Sequence, residues 1–387
     1  MGLSLGERCG CVMQSEIRSM SLECARIGGI NLSQGVCDTP VPIEVLQGAA
    51  DSIMRGGNTY THHAGIRELR EAIADKQRRF AGMELDPESE IVVSAGATGA
   101  MYCAFQALLS RGDEVIVFEP YYGYHVSTLF AVEAVPVFVP LEPPAWSFQQ
   151  ESLEAAVSPR TRALLVNTPA NPSGKVFSLH ELALIADFAI RHDLFVFTDE
   201  MYEHFVYDGL SHRSVATLPG MKERTIAISG LSKTFSVTGW RIGYAMCDAR
   251  WAGAIGFFND LFYVCAPSPL QAGVTAGLRS LGDEYFHALS SEYAAKRDLF
   301  CKVLQDAGLT PHIPQGAYYV LADTDGLPGR TAKERAMHIL QRTGVASVPG
   351  SAFFHEEGGD SLVRFCFAKE DHVLESACEK LLKLRFS

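Results

Sequence analysis

Short apolar runs recur through the middle of this chain, each ending in a polar or glycine-containing segment. Glu114–Phe118 (EVIVF), Arg162–Asn167 (RALLVN), Leu194–Asp199 (LFVFTD), Thr225–Ser229 (TIAIS) and Ile242–Cys247 (IGYAMC) show no clean alternation of apolar and polar residues. Runs of that kind suit strands covered on both faces. Helical patterns lie between several of them, for example Leu179–His192 (LHELALIADFAIRH). The alternation predicts an α/β fold built on a largely parallel sheet. Open sheets of this type collect ligands beyond the carboxyl ends of their strands. The polar residues that follow each run are therefore the ones to test for chemistry.

The two ends read differently. Residues 1–40 carry little periodicity before the turn-rich stretch Asn31–Pro42 (NLSQGVCDTPVP). Beyond residue 290 comes a long amphipathic pattern, Ser291–Ala307, then short strand patterns around Tyr318–Leu321 and Leu362–Phe367. A closing helical pattern, His372–Leu384, follows them. This predicts a large central domain over 43–290. A smaller α+β domain is expected from both ends, with 1–42 as an arm that joins 291–387.

Composition removes several function classes. The net charge is −12 and the pI about 5.5, whereas a nucleic-acid binder needs a basic face to neutralise phosphates. Hydrophobic residues make up 47% and charged residues 20%, enough apolar material for a sizeable core and too much for intrinsic disorder. No run reaches the roughly 18–20 apolar residues a membrane helix requires. The first residues include Glu7 and Arg8 without an apolar segment, so no secretory signal is expected, and a soluble, cytoplasmic protein is. Ten cysteines lie scattered with no CxxC pair, and Cys9 and Cys11 have no histidine beside them, so neither a zinc site nor a disulfide framework is expected.

The segment most loaded with chemistry is Ser229–Tyr244 (SGLSKTFSVTGWRIGY). Lys233 follows a strand end among Ser229, Ser232, Thr234 and Ser236, and Arg241 comes eight residues later. An amine in that setting can form a Schiff base with an aldehyde, while hydroxyls and a guanidinium suit a phosphate. Ser94–Ala100 (SAGATGA) opens a helical stretch, where free amides favour a phosphate, but it lacks the dinucleotide fingerprint G-x-G-x-x-G and a Walker lysine. Arg364 sits in the otherwise apolar run LVRFCF, and a buried arginine needs an anion.

Taken in order, these segments resemble the class I and II aminotransferases of fold type I, from about residue 30 to residue 367. That resemblance implies a mostly parallel seven-stranded sheet covered by helices, and pyridoxal 5′-phosphate (PLP) as cofactor. It makes Lys233 the residue that carries PLP as an internal aldimine. Asn167–Lys175 (NTPANPSGK) is similar to the family's Asn–Pro-rich turn, which places Asn171 at the phenolic oxygen of PLP together with Tyr202. Asp199 in LFVFTDEMY matches the carboxylate that faces the pyridine nitrogen. The amides of Ala97 and Thr98, with Arg241, match the phosphate cup. Gly230 stands where many relatives carry a phosphate-binding serine, so Ser229 or Ser232 is expected to substitute. In EPYYGY the ring-stacking position falls on Tyr122, with Tyr121 one place away. Tyr60 matches a tyrosine that reaches the phosphate of the neighbouring subunit, which implies a homodimer with shared sites. Arg364 matches the arginine that grips the substrate α-carboxylate, and Gly35 the glycine that lies against the substrate.

The activity so implied moves an amino group from an L-amino acid to a 2-oxo acid by a ping-pong route, with no metal, nucleic acid or membrane as partner. The same fold also serves C–S lyases and non-enzymatic regulators. A regulator would carry an appended DNA-binding module, for which the 30 residues before Asn31 are too few. A nicotinamide dehydrogenase is disfavoured by the missing fingerprint.

Overall fold

The structure is a computed structural model that describes residues 3–10, 15–356 and 358–386, so Cys11 lies outside the described residues. Its centre is a seven-stranded sheet in the order Ile91–Ala95, Ile242–Met246, Thr225–Gly230, Phe195–Asp199, Thr161–Asn167, Glu114–Glu119, Val135–Pro140. Ile242–Met246 runs against both neighbours, and the other pairings are parallel. The five anticipated runs are the five inner strands. Ile91–Ala95 and Val135–Pro140 close the edges, and the second, an edge strand carrying Pro136 and Pro140, is only half covered.

Both faces of the sheet are covered, as the strand composition requires. On one, Val115, Val117, Phe197 and Ile228 pack with Ala100, Phe105 and Ile255; on another side, Ile116, Leu164 and Val196 pack with Leu182, Ile185 and Phe188. The helix Leu179–Arg191 begins at a reciprocal cap, in which Ser178 accepts from the Glu181 amide and the Glu181 side chain returns to the Ser178 amide.

The chain ends share a third core. Met20, Cys24 and Leu32 pack with Phe300, Val345, Phe365 and Leu374. The strand Ile30–Asn31 pairs in parallel with Val345–Ala346, and an antiparallel sheet runs Val348–Pro349, Leu362–Cys366, Tyr319–Asp323, Thr310–His312. The N-terminal stretch contains a helix, Glu16–Arg26, absent from the periodicity because it buries only Met20 and Cys24. The helix Asp283–Asp306 is continuous through residue 290, where the sequence pattern changes. The described cysteines are free and mostly buried, and among the described residues no cluster of three or more His, Cys, Asp or Glu could hold a metal ion. No helix among them is long and apolar enough to cross a membrane.

Candidate active site

A cavity of about 720 Å³ opens where the parallel strands end, lined by Asp199 at a strand end and by residues of the turns beside the strands, among them Asn171, Ser232 and Arg241. Register decides the first two. Asn167 lies directly beside Asp199 across neighbouring strands, so the turn after one strand hangs over the carboxylate that ends the next. Asn167 ties them together, its Nδ2 donating to the Asp199 carbonyl at 3.0 Å and its Oδ1 accepting from the Asn171 amide at 2.7 Å. Asp199 is buried, and its Oδ2 lies 2.8 Å from His125 Nε2. Its other oxygen accepts from the Met201 amide at 3.2 Å.

Lys233 sits in the turn after Thr225–Gly230 and donates from Nζ to the Gly35 carbonyl at 3.0 Å. Burial pushes its pKa below the ordinary lysine value; the charge of Arg241 adds to this, against the opposing influence of Cys37, Cys366 and Asp199. The Gly35 backbone approaches so closely that a Cβ there would overlap the Tyr319 hydroxyl. That hydroxyl lies 3.0 Å from the Tyr202 hydroxyl, and burial holds both phenols protonated.

Arg364 is fully buried in Leu362–Cys366. Its Nη1 donates to Asn171 Oδ1 at 2.8 Å and its Nη2 to the Ser33 carbonyl at 2.5 Å. The guanidinium lies 4.3 Å from the Tyr319 ring centroid and 4.8 Å from that of Phe353, and its Nε has no hydrogen-bond partner among the described residues. Among the described residues no carboxylate reaches it, so the alternative of a buried protein ion pair is not realised.

On the far side, the helix Gly96–Leu108 points its N-terminus at the cavity with Ala97 and Thr98 in the lining, leaving first-turn amides free for an anion. Arg241 closes on that terminus: a Cβ on Gly96 would meet its guanidinium, and a Cβ on Gly243 would strike the Ala97 amide. Ser232 also lines the cavity. Ser229 does not, although the sequence left it open as a phosphate ligand. Its partner across the sheet is Tyr244, and its hydroxyl donates to Glu203 at 2.6 Å, so it belongs to a buried network below the sheet end. Tyr122 lines the cavity, whereas Tyr121 turns away to donate to the Phe354 carbonyl at 2.9 Å. Tyr60 is 82% exposed and lies outside the lining of its own chain's cavity.

Two residues at the site escaped the sequence reading. His125, in the first turn of Gly123–Ala131, is a buried polar residue three places after Tyr122. Tyr319 stands beside Tyr318 in an apolar strand, where one more aromatic carries no signal.

The arrangement fits PLP. It offers an amine with a depressed pKa, a buried carboxylate, an aromatic face, free helix amides with a guanidinium, and a second, unneutralised guanidinium. The family model for "Aminotransferase class I and II" matches residues 27–381. A probable N-succinyldiaminopimelate aminotransferase of Mycobacterium tuberculosis is 38% identical over 94% of each chain. The kynurenine–oxoglutarate transaminase of Dictyostelium discoideum is 33% identical over 93% of this chain and 92% of its own. Among solved structures, N-succinyldiaminopimelate aminotransferase from M. tuberculosis superposes with a TM-score of 0.95 at 36% identity, covering 98% of this chain and all of that one. A methionine aminotransferase from Escherichia coli gives 0.94 at 32% identity over the whole of both chains. The chain belongs to the class I and II aminotransferases, enzymes of PLP fold type I that transfer amino groups with pyridoxal phosphate.

Proposed function

We propose that the cavity transfers an amino group from an L-amino acid to a 2-oxo acid, with Lys233 as the base at the substrate Cα and Arg364 as the anchor of its α-carboxylate. Arg364 carries the reading: a fully buried guanidinium faces the cavity of Lys233 with no carboxylate among the described residues to neutralise it. A buried cation is costly until paired, and a planar two-pronged donor matches a carboxylate. The bonds to Asn171 and Ser33 and the rings of Tyr319 and Phe353 fix the plane of the fork before substrate arrives.

Bound PLP supplies an aldehyde that condenses with amines and a pyridine ring that accepts the electron pair left at Cα. Asp199, oriented by His125, would hold the ring nitrogen, and Asn171 and Tyr202 the phenolic oxygen. Tyr122 would cover the ring face, while the amides of Ala97 and Thr98, with Ser232 and Arg241, would take the phosphate. The depressed pKa of Lys233 leaves its amine neutral at lower pH than an exposed lysine, so it can remove the Cα proton and return it elsewhere. Gly35 lets its backbone lie against Tyr319 beside this path, because any side chain there would collide with that tyrosine. Release of one oxo acid before the next enters makes the kinetics ping-pong.

We further propose a cytoplasmic homodimer in which Tyr60, exposed on its own chain, completes the phosphate site of the second subunit. The division into 43–290 and a smaller domain from 1–42 with 291–387 belongs to the same proposal, supported by the core that Met20, Cys24 and Leu32 share with Phe365 and Leu374. The relatives are named for different donors, among them kynurenine and methionine, so they support amino transfer without fixing the substrate.

The test is the visible spectrum of the PLP-loaded protein. Transamination bleaches the band on adding L-amino acids and restores it with 2-oxoglutarate or pyruvate. Pyruvate and ammonia released without any oxo-acid acceptor would instead mark a lyase.

A further inference from the structure

We propose that Arg18 selects the substrate side chain and that the favoured substrates carry a distal carboxylate. The proposal rests on the assignment of Arg364 to the α-carboxylate and extends it to the opposite end of the substrate. Arg18 lies on the helix Glu16–Arg26, which covers the mouth of the cavity. One face of this helix is fixed to the body of the protein: Lys333 pairs with Glu16 and donates to Ser19 Oγ at 2.9 Å, while Met20 and Cys24 enter the core. Helical spacing then turns Ile17, Arg18, Ser21 and Leu22 toward the cavity, and all four line it.

The position of Arg18 relative to Arg364 is set by hydrogen bonds. Ser21 Oγ lies 3.2 Å from Ser33 Oγ and accepts from Asn31 Nδ2 at 3.1 Å. The Ser33 carbonyl in turn holds Arg364 Nη2. Arg18 stands one helical turn before Ser21, on the same rigid frame as the α-carboxylate fork.

Charge decides what Arg18 takes. The lining holds the cations Arg18, Lys233, Arg241 and Arg364 against a single carboxylate, Asp199, which is engaged by His125. The cofactor phosphate accounts for Arg241, the substrate α-carboxylate for Arg364, and burial favours a neutral Lys233. Arg18 alone is left over: its amide donates to the Ser15 carbonyl, while its guanidinium has no hydrogen-bond or ion-pair partner among the described residues. In a chain of net charge −12 this cavity remains positive, which draws anions. Ile17 and Leu22 beside it offer apolar cover for methylene groups, and Gln34 and Tyr124 polar edges.

The experiment compares glutarate with pentanoate, unreactive acids of equal length with two carboxylates and one, on PLP-loaded wild type, Arg18→Ala and Arg18→Lys. Dissociation constants are read from the visible band and by calorimetry. Wild type should bind glutarate about 10- to 100-fold tighter than pentanoate, the scale of a charge-assisted hydrogen bond. Arg18→Ala should abolish that preference by weakening glutarate alone, and Arg18→Lys should recover part of it. The ratio of kcat/KM for L-glutamate over L-norvaline should fall by a similar factor in Arg18→Ala. Equal affinity of wild type for the two acids, or a preference that survives in Arg18→Ala, overturns the role of Arg18 while leaving Arg364 in place. A wild type that binds neither acid overturns the Arg364 assignment as well.

Discussion

Replacing Arg364 by leucine isolates what the α-carboxylate contributes. Leucine keeps apolar bulk between the Tyr319 and Phe353 rings but removes every donor from the fork. A substrate carboxylate held by two charge-assisted bonds loses about 3–6 kcal/mol, at roughly 1.5–3 kcal/mol each. Expressed in kcat/KM, that is about 10²- to 10⁴-fold. Asn171 Oδ1 and the Ser33 carbonyl also lose their donor, at about 1–3 kcal/mol apiece. Relief from burying a cation offsets much of this, so net stability should change by no more than about 2 kcal/mol. The assay is the amino-transfer half-reaction, followed at the visible band with L-norleucine and with pentylamine, which is the same molecule without its carboxylate. Wild type should prefer the amino acid strongly, and Arg364→Leu should erase the preference by slowing the amino acid alone. Arg364→Lys should fall between them, since an ammonium keeps the charge but not the fork. Equal slowing of both amines, or an amino-acid rate within about tenfold of wild type, would falsify the assignment.

Three further outcomes follow from the geometry. His125→Phe removes the 2.8 Å bond that orients Asp199 and should slow the half-reaction about 10- to 100-fold while PLP stays bound, so a rate near wild type, measured by stopped flow, would deny His125 that role. Gly35→Ala drives a methyl group into the Tyr319 hydroxyl; a fall in kcat/KM of tenfold or more is expected together with a stability loss of about 1–3 kcal/mol, and unaltered kinetics would show that the segment has room to move. Acid stability should depend on the buried group around Lys76, whose Nζ lies 2.5 Å from Glu203 and 2.9 Å from the Tyr244 hydroxyl. Burial is the largest single influence and alone would raise the Glu203 pKa, but the charges of Lys76, His204 and His212 together with the Lys76 hydrogen bond outweigh it and hold the carboxyl at about 2 instead of 4.5. Burial, with Lys76 adding to it, pushes His204 down to about 3 from 6.5. Both folded values lie below the unfolded ones, so the folded state binds fewer protons, and stability present at neutral pH is lost on acidification, below about 6.5 for His204 and below about 4.5 for Glu203. His204→Phe, placed between Phe80 and Phe286, should flatten the dependence of Tm on pH between 6.5 and 4; a slope equal to wild type would exclude this origin.

The residues that could be read from sequence are those at odds with their immediate surroundings. Arg364 is a charge inside LVRFCF, Asp199 follows the apolar run LFVF after a single threonine, and Lys233 stands among hydroxyls at a strand end. Each conflict needs a partner from outside its own segment, and the parallel sheet supplies a common place where such partners meet. The inner strands were legible for the same reason: being covered on both faces, they cannot afford polar residues until they end. Ser229 marks the boundary of this logic. It sits at a strand end among the right residue types, but the pleat turns it with Tyr244 toward Glu203, and the two-residue period of a strand cannot say which face holds the ligand.

Residues that agree with their local sequence stay silent until tertiary structure gives them a task. Tyr319 is an ordinary strand aromatic whose hydroxyl gains meaning from Tyr202, 117 positions earlier in the chain. His125 is one polar residue at the start of a short helix, and its carboxylate lies 74 positions away. Arg18 is the limiting case. An arginine on the exposed side of a helix that buries two residues is what any solvated surface would show. Its distinction comes from the helix being laid across the cavity mouth by Lys333, 317 positions from Glu16, and by Ser33, in the segment that follows the helix. Side chains that perform the chemistry must be buried and therefore conflict with their neighbours, whereas those that choose the substrate stand at the rim, where a charge conflicts with nothing. Family resemblance and local pattern therefore converge on the reaction, while specificity has to be read from the assembled cavity.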